Sequence, residues 1–188
     1  MSVLVVLEQQ GGKWHRMSLE ALAAGVELAK LAGVPCLAAV AGKGVGALAA
    51  EAAAKGAAKV FAVDHELLDT YTSDGFVVAL EQVVRAAGAT YVVFPHTYQV
   101  RDFAPRLATR FGRALVSDVI AIRNDNGLVF VRQLFQGKLN ADFRAAGSGP
   151  VFLSIQAGAF RMDSLPATSG ESAAFTPELA AASIRIKA

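Results

Sequence analysis

The chain has 188 residues, 54% of them hydrophobic and 18% charged, which is enough to form one domain with a sizeable core. No stretch reaches about 18 consecutive strongly apolar residues, so membrane insertion is not expected. The net charge of +2, without a stripe of basic residues interleaved with aromatic ones, argues against a nucleic-acid partner.

Two features bear on the cellular compartment. Residues 1–8 have no basic start and no small-residue cleavage site, so they predict a first strand and not a signal peptide. Cys36 is the only cysteine, which excludes an intrachain disulfide, and its apolar neighbours indicate a small buried side chain. A reducing, cytoplasmic environment is therefore expected.

The first half of the chain alternates between predicted strands and helices. The strands are continuous apolar runs and cover residues 3–7, 36–40, 59–63 and 91–94. The helices have apolar positions at helical spacing and cover residues 18–32, 47–55 and 73–87. Ser18 is the expected cap of the first helix, and Ser73 or Asp74 that of the third. This alternation predicts a three-layer α/β domain with a mostly parallel sheet flanked by helices.

The pattern changes after residue 114. The predicted strands then follow one another directly and cover residues 117–123, 128–135, 139–144 and 151–155. Asn126-Gly127 is a strong hairpin signal, so these strands predict an added antiparallel β meander. The exposed strands of such a meander would allow a homodimer to form. From Gly158 onward the periodicity is lost, which predicts an extended tail.

Residues 100–119 narrow the function most. Arg101 and Asp102 end the loop that follows the strand at residues 91–94. A helix with Pro105 in its first turn is expected next, because the first turn does not need the N–H that proline lacks. This helix would bring four basic side chains close to one exposed surface: Arg101, Arg106, Arg110 and Arg113.

Four segments in this order resemble the N-terminal domain of the electron transfer flavoprotein alpha subunit. They are the opening Val3-Leu4-Val5-Val6-Leu7-Glu8 strand, the helix start Arg101-Asp102-Phe103-Ala104-Pro105-Arg106-Leu107-Ala108, the strand Leu115-Val116-Ser117-Asp118-Val119, and the paired Gly149-Pro150-Val151 and Gly158-Ala159-Phe160. The sequence departs from the family's pattern at Val100, where such proteins usually carry Gly, and at Gln133, where they tend to carry Pro.

The resemblance implies an adenine-nucleotide-hydrolase-like fold over residues 1–160, with residues 161–188 as a linker toward an FAD-binding domain absent from this sequence. It also implies a heterodimer with a beta subunit, which carries electrons from acyl-CoA dehydrogenases or similar donors to a quinone oxidoreductase. FAD would be held largely by the second domain. This chain would be a non-catalytic scaffold that docks the partner and binds no cofactor tightly by itself.

A glycine-rich turn offers an alternative function. Gly42, Gly44 and Ala47 match the G-x-G-x-x-G/A dinucleotide fingerprint, and Asp64 follows about 20 residues later, where a ribose-binding acid is expected. The same residues also fit a plain tight turn. A free-standing adenine-nucleotide-binding domain could use this turn or the Arg101 loop.

The predicted partner-binding residues are Arg101, Asp102, Arg106 and Trp14. The first three fit an inter-subunit anchor, which the resemblance favours, but Asp102 could instead cap the helix and the arginines could form a solvated face. Trp14 could contact a neighbour or fold back over the sheet edge.

The remaining candidates do not form a catalytic or metal-binding pattern in sequence. The histidines are too far apart for metal-site spacing, and the serines lack a nucleophile-elbow context: His15, His65, His96, Ser117, Ser148 and Ser154. Neither zinc binding nor hydrolase activity is expected.

Overall fold

The computed structural model describes residues 1–181. Its strands are β1 (Ser2–Leu7), β2 (Gln9–Gln10), β3 (Lys13–Trp14), β4 (Cys36–Gly42), β5 (Lys59–Asp64), β6 (Ala89–Pro95), β7 (Leu115–Asn124), β8 (Leu128–Leu134), β9 (Leu139–Phe143), β10 (Val151–Ile155) and β11 (Glu171–Phe175). Its helices are α1 (Arg16–Ala32), α2 (Gly46–Ala53), α3 (Ser73–Ala86) and α4 (Tyr98–Arg110), and short 3-10 turns cover Glu66–Leu68 and Met162–Ser164.

The described strands form one large sheet in the order β11-β5-β4-β1-β6-β10-β7-β8-β9, beside the small β2–β3 hairpin. All pairings from β11 to β7 are parallel, and β7, β8 and β9 are antiparallel. The predicted α/β class with a mostly parallel sheet and an added meander is confirmed. The homodimer through this meander stays a prediction, and β9 is the edge strand that would make it.

The sequence-based assignment of residues 151–155 to the antiparallel meander was wrong. β10 lies between β6 and β7 and is parallel to both, with Val151 opposite Tyr91 and Ile155 opposite Pro95. Every residue of β10 is buried. A strand that is buried on both faces fits the interior of a parallel sheet and not a half-exposed meander.

The sheet separates two apolar cores, so the domain has three layers. Val5 of β1 joins α1 and α2 in the first core cluster, whereas Leu4 joins α3 and α4 in the second core cluster. Helix α1 approaches β1 closely at Gly25, where a Cβ atom would lie 2.1 Å from Val5 Cγ2. The small residues of the Ala-rich helices allow this tight packing.

The helix caps differ from the sequence prediction. His15 caps α1 by accepting the Met17 N–H at its Nδ1, 3.3 Å away. The Ser18 hydroxyl is instead engaged by the backbone of Glu8, with both hydrogen bonds at 2.8 Å. Thr72, and not the residues after it, caps α3.

Helix α4 begins three residues before Arg101, so Pro105 is not in its first turn. Thr97 is the N-cap and accepts the Val100 N–H at 3.1 Å. Pro105 therefore lies inside the helix and leaves the Arg101 carbonyl without its usual amide donor. The predicted start was wrong because Thr97, a good cap, precedes a segment that already has helical geometry.

The segment after residue 160 is not a bare tail. Strand β11 pairs in parallel with β5 at the sheet edge. Just before it, the Thr168 hydroxyl and the Gly170 N–H donate to the Ala53 carbonyl at 2.9 and 3.0 Å, which satisfies the end of α2. A Cβ atom at Gly170 would lie 2.0 Å from the Ala57 carbonyl oxygen. The α/β unit thus extends to residue 175, and the predicted boundary at residue 160 was too early.

Two simpler features complete the fold. Cys36 is buried, as predicted, and desolvation raises the pKa of its thiol to about 12. Among residues 1–181, no helix is long and apolar enough to cross a bilayer.

Candidate functional site

Strand β6 lies between β1 and β10. At its carboxyl end the chain continues on one face of the sheet, whereas the chain after β1 and after β10 continues on the opposite face. Strand β6 leads into α4, which packs on the second core cluster, whereas β1 leads into α1 and β10 leads to Phe160, both in the first. In open α/β sheets, ligands bind in the crevices that such divergence creates. We call them the β1/β6 crevice and the β6/β10 crevice.

The β1/β6 crevice is bridged by side chains of the domain itself. The Thr97 hydroxyl donates to the Glu8 carboxylate, and the Glu8 backbone is held by Ser18. Thr97 also caps α4, so this bridge fixes the helix start to the end of β1.

The β6/β10 crevice brings together three of the residues considered from sequence. His96 Nδ1 lies 2.9 Å from Ser154 Oγ, and the Asp118 N–H donates to the same oxygen at 3.1 Å. Asp118 has a φ of 62°, a left-handed conformation at an irregularity in the β7–β10 pairing. This turn aims the Asp118 N–H at Ser154 and brings its carboxylate to 4.0 Å from His96 Nε2.

Proximity of serine, histidine and aspartate does not make this a nucleophilic site. Ser154 is fully buried, and its oxygen already contacts both His96 and the Asp118 N–H. A nucleophilic serine must instead be exposed to its substrate. In the described part of the chain, no group of His, Cys, Asp and Glu could hold a metal ion.

His96 is uncharged near neutral pH. Burial lowers its pKa, Asp118 opposes this effect, and the positive charges of Arg101 and Arg132 lower it further. The Ser154 hydroxyl can donate to Nδ1, and the neutral ring then carries its proton on Nε2, which faces Asp118.

Two of the predicted docking residues tie α4 to the α3 side of the domain. Asp102 is not a cap: it accepts the Tyr71 hydroxyl at 2.6 Å, and burial together with this bond raises the Tyr71 pKa. Arg106 donates to Ser73 Oγ at 2.8 Å and pairs with Asp74. These contacts orient α4 and leave less of both side chains for a partner.

The other arginines of the predicted surface are also engaged. Arg110 pairs with Glu81, and Arg113 donates to the Pro150 carbonyl at 3.1 Å. Partial burial opposes ionisation of Glu81, but hydrogen bonds from Arg85 and Arg110 outweigh it and lower the Glu81 pKa. The four arginines therefore do not form one free cationic face.

Arg101 differs from them because, within residues 1–181, it has no carboxylate or carbonyl partner and stacks on a neighbouring aromatic ring. Its guanidinium carbon lies 5.6 Å from the centre of the Tyr98 ring. Tyr98, which we did not identify from sequence, is 87% exposed in the first turn of α4. An aromatic residue directly after the threonine cap was the available signal. Tyr and Arg are both enriched at protein interfaces.

Comparison with known proteins assigns the fold to a family. The model described as "Electron transfer flavoprotein domain" matches residues 3–183. The chain belongs to the electron transfer flavoprotein domain family. The resemblance to the alpha-subunit N-terminal domain is confirmed by the curated relatives.

Among these relatives, the electron transfer flavoprotein subunit alpha of Syntrophomonas wolfei is 33% identical over 94% of this chain and 54% of its own length. The subunit alpha of Bacillus subtilis is 32% identical over 72% of this chain and 42% of its own. A lactate dehydrogenase (NAD(+),ferredoxin) subunit of Acetobacterium woodii is 24% identical over 82% of this chain and 37% of its own. The chain thus spans about half the length of the alpha subunits it matches.

The glycine-rich turn of this electron transfer flavoprotein domain is capped from within. The Asp64 carboxylate accepts the Gly44 N–H at 3.0 Å and the Val45 N–H at 3.3 Å. These are the donors that a phosphate would use at a helix start. A Cβ atom at Gly42 would lie 2.8 Å from Val45 Cγ1, so close packing explains this glycine. The turn therefore does not fit the pyrophosphate of a dinucleotide or of FAD.

Trp14 of the same domain lies in β3 and packs against the first core cluster. Its indole N–H is buried and has no hydrogen-bond partner within residues 1–181. Of the two orientations considered from sequence, the structure has the one in which Trp14 folds back onto the domain.

Proposed function

We propose that this chain is the N-terminal scaffold and partner-docking domain of an electron transfer flavoprotein alpha subunit. The full protein would be a cytoplasmic, FAD-dependent heterodimer with a beta subunit and would act as an electron carrier, not as an enzyme. It would pass electrons from acyl-CoA or other dehydrogenases to a quinone oxidoreductase of the respiratory chain. The names of the alpha-subunit relatives support the carrier role, and the lactate dehydrogenase relative supports a donor other than an acyl-CoA dehydrogenase.

The observation that carries the docking role is the exposed Tyr98–Arg101 pair on a braced helix. Thr97 fixes the start of α4, and the contacts of Asp102 and Arg106 fix its orientation against α3. Tyrosine and arginine are among the residue types that most often dominate binding energy at interfaces, which favours this stacked pair as an interface anchor. Arg101 would then contact the partner, and Asp102 and Arg106 would hold the helix that carries Arg101.

The proposed place of FAD is outside this domain. The only fingerprint-like turn identified in the sequence has its N–H groups taken by Asp64, so no flavin contact is derived from it. The chain after β11 returns to the α3 side, where Gln82 exchanges two hydrogen bonds with the Glu178 backbone at 2.9 and 3.0 Å.

The docking role is tested by co-expression with a beta-type subunit and calorimetric titration of the purified partners. We expect Tyr98→Ala and Arg101→Ala each to weaken the complex about tenfold or more, as interface anchors do. Both side chains are exposed, so the fold should survive, as circular dichroism would verify.

Phe135 provides the matched control. It is 72% exposed and lies in the turn between β8 and β9. Phe135→Ala should leave the affinity unchanged. A complex that is insensitive to both α4 variants but weakened by Phe135→Ala would move the docking surface to the meander.

A further inference from the structure

Most arginines in the described part of the chain have an acceptor of their own. These engaged side chains are Arg85, Arg106, Arg110, Arg113, Arg123, Arg144 and Arg161. Within residues 1–181, three arginines have no carboxylate or carbonyl acceptor, namely Arg16, Arg101 and Arg132. Arg101 follows His96 on α4, and Arg132 is paired with Val119 of β7, next to Asp118. The positive charges of Arg101 and Arg132 both lower the His96 pKa. Two of these three arginines, Arg101 and Arg132, thus lie near the β6/β10 crevice.

Arg132 has the more unusual environment. Its Nε–H is buried and has no hydrogen-bond acceptor in the described part of the chain. Its guanidinium carbon lies 6.0 Å from the centre of the Phe143 ring. A buried donor normally has an acceptor, so an acceptor that enters from the crevice would satisfy this one.

The two arginines near His96 belong to opposite faces of the sheet. Arg101 is carried by α4, which packs on the second core cluster. Arg132 lies two residues after Phe130 in β8, and residues two apart in a strand point to the same face. Because Phe130 belongs to the first core cluster, Arg132 is on that face of the sheet. The two arginines therefore belong to opposite faces of the sheet beside the His96–Asp118 group.

The charges around His96 leave the crevice positive. Asp118 faces the ring from β7 at 4.0 Å, and Ser154 contacts it from β10. Glu8, at the end of β1, is engaged by Thr97 in the neighbouring crevice. Two arginines thus oppose one carboxylate, and the N-terminal turn of α4 adds partial positive charge.

We propose that the mouth of the β6/β10 crevice binds a phosphate-sized oxyanion between Arg101 and Arg132, with His96 on its floor. Guanidinium forks bind such anions through paired, charge-assisted hydrogen bonds. An anion in this position would also give the Arg132 Nε–H its acceptor. This inference goes beyond the proposed docking role and does not rest on it.

The test is a titration of the full chain with inorganic phosphate at constant ionic strength in chloride, followed through the histidine ring signals by NMR. We expect saturable binding and a rise in the His96 pKa, because a nearby negative charge favours the imidazolium form. His15 and His65 cap other elements and serve as internal references that should not shift. Acetate is titrated in parallel as a carboxylate probe.

Matched variants remove the same charge from two positions of the meander. Arg132→Gln should weaken phosphate binding about tenfold or more, since it removes a charge-assisted contact. Arg144→Gln removes an arginine that pairs with Asp125 and should leave binding unchanged. Arg101→Gln, at an exposed position, gives a second measure should Arg132→Gln perturb the fold.

Three results would overturn the proposal. They are the absence of a saturable response at His96, an equal loss of binding in Arg132→Gln and Arg144→Gln, and saturation by acetate without any by phosphate. Loss of partner docking in Tyr98→Ala with phosphate binding intact would leave the oxyanion site standing, so the two proposals fail separately.

Discussion

Two corners of the sheet's carboxyl edge both present hydrogen-bond donors that could bind an anion. They differ in whether the domain itself supplies acceptors for these donors. At the glycine corner, Gly44 and Val45 present N–H groups just before α2, and the Asp64 carboxylate accepts both. At the histidine corner, His96, Arg101 and Arg132 converge, and the two arginines lack acceptors within residues 1–181. A motif marks where donors lie, whereas only the contacts show which donors are still free.

The largest expected effect on stability comes from replacing Ser154, which lies beneath His96 at the histidine corner. Ser154→Ala would leave the Asp118 N–H and His96 Nδ1 without their shared partner in a buried position. We expect a loss of about 1–3 kcal/mol in the free energy of unfolding, measured by urea denaturation. Ser148→Ala, at an exposed serine, is the control. Equal stability of the two variants would show that the buried network contributes little.

The glycine corner should respond less strongly to loss of its acceptor. Asp64→Ala removes the carboxylate that accepts the Gly44 and Val45 N–H groups just before α2 and should cost about 0.5–1.5 kcal/mol of stability. Asp69→Ala removes a neighbouring exposed carboxylate and should be close to neutral. If Asp64→Ala were also neutral, the hydrogen bonds of Asp64 to this turn would contribute little to stability.

The smallest effect concerns pH. Because the folded state lowers the pKa of His96 below 6.5, the unfolded chain binds a proton first as the pH falls. The contribution of neutral His96 to stability is therefore complete at pH values above the pKa of the unfolded chain. It is lost as the pH falls from that pKa to the lower pKa of the folded state. His96→Gln should flatten that part of the stability profile, while His15→Gln should retain it. Chemical denaturation at a series of pH values would measure both, and an unchanged slope in His96→Gln would contradict the assignment.

The α4 segment illustrates how far sequence reasoning reached into the site. The sequence placed Arg101, Asp102 and Arg106 beyond the end of β6, and the structure has them there. It did not separate Arg101, which stacks on Tyr98, from Arg106, which pairs with α3, because that difference depends on residues of α3 that lie 32 and 33 positions earlier in the chain. Tyr98 was missed because the helix was predicted to begin too late.

Local pattern by itself determined the α/β class, the parallel first half, the antiparallel meander and the family. Alternating apolar runs and helical spacing are properties of neighbouring residues, so they can be read along the chain. Tertiary structure alone decided that β10 inserts between β6 and β7, that β11 joins β5, and that Ser154 meets His96. Each of these is a pairing between distant segments, and its free energy comes from contacts that no local window contains.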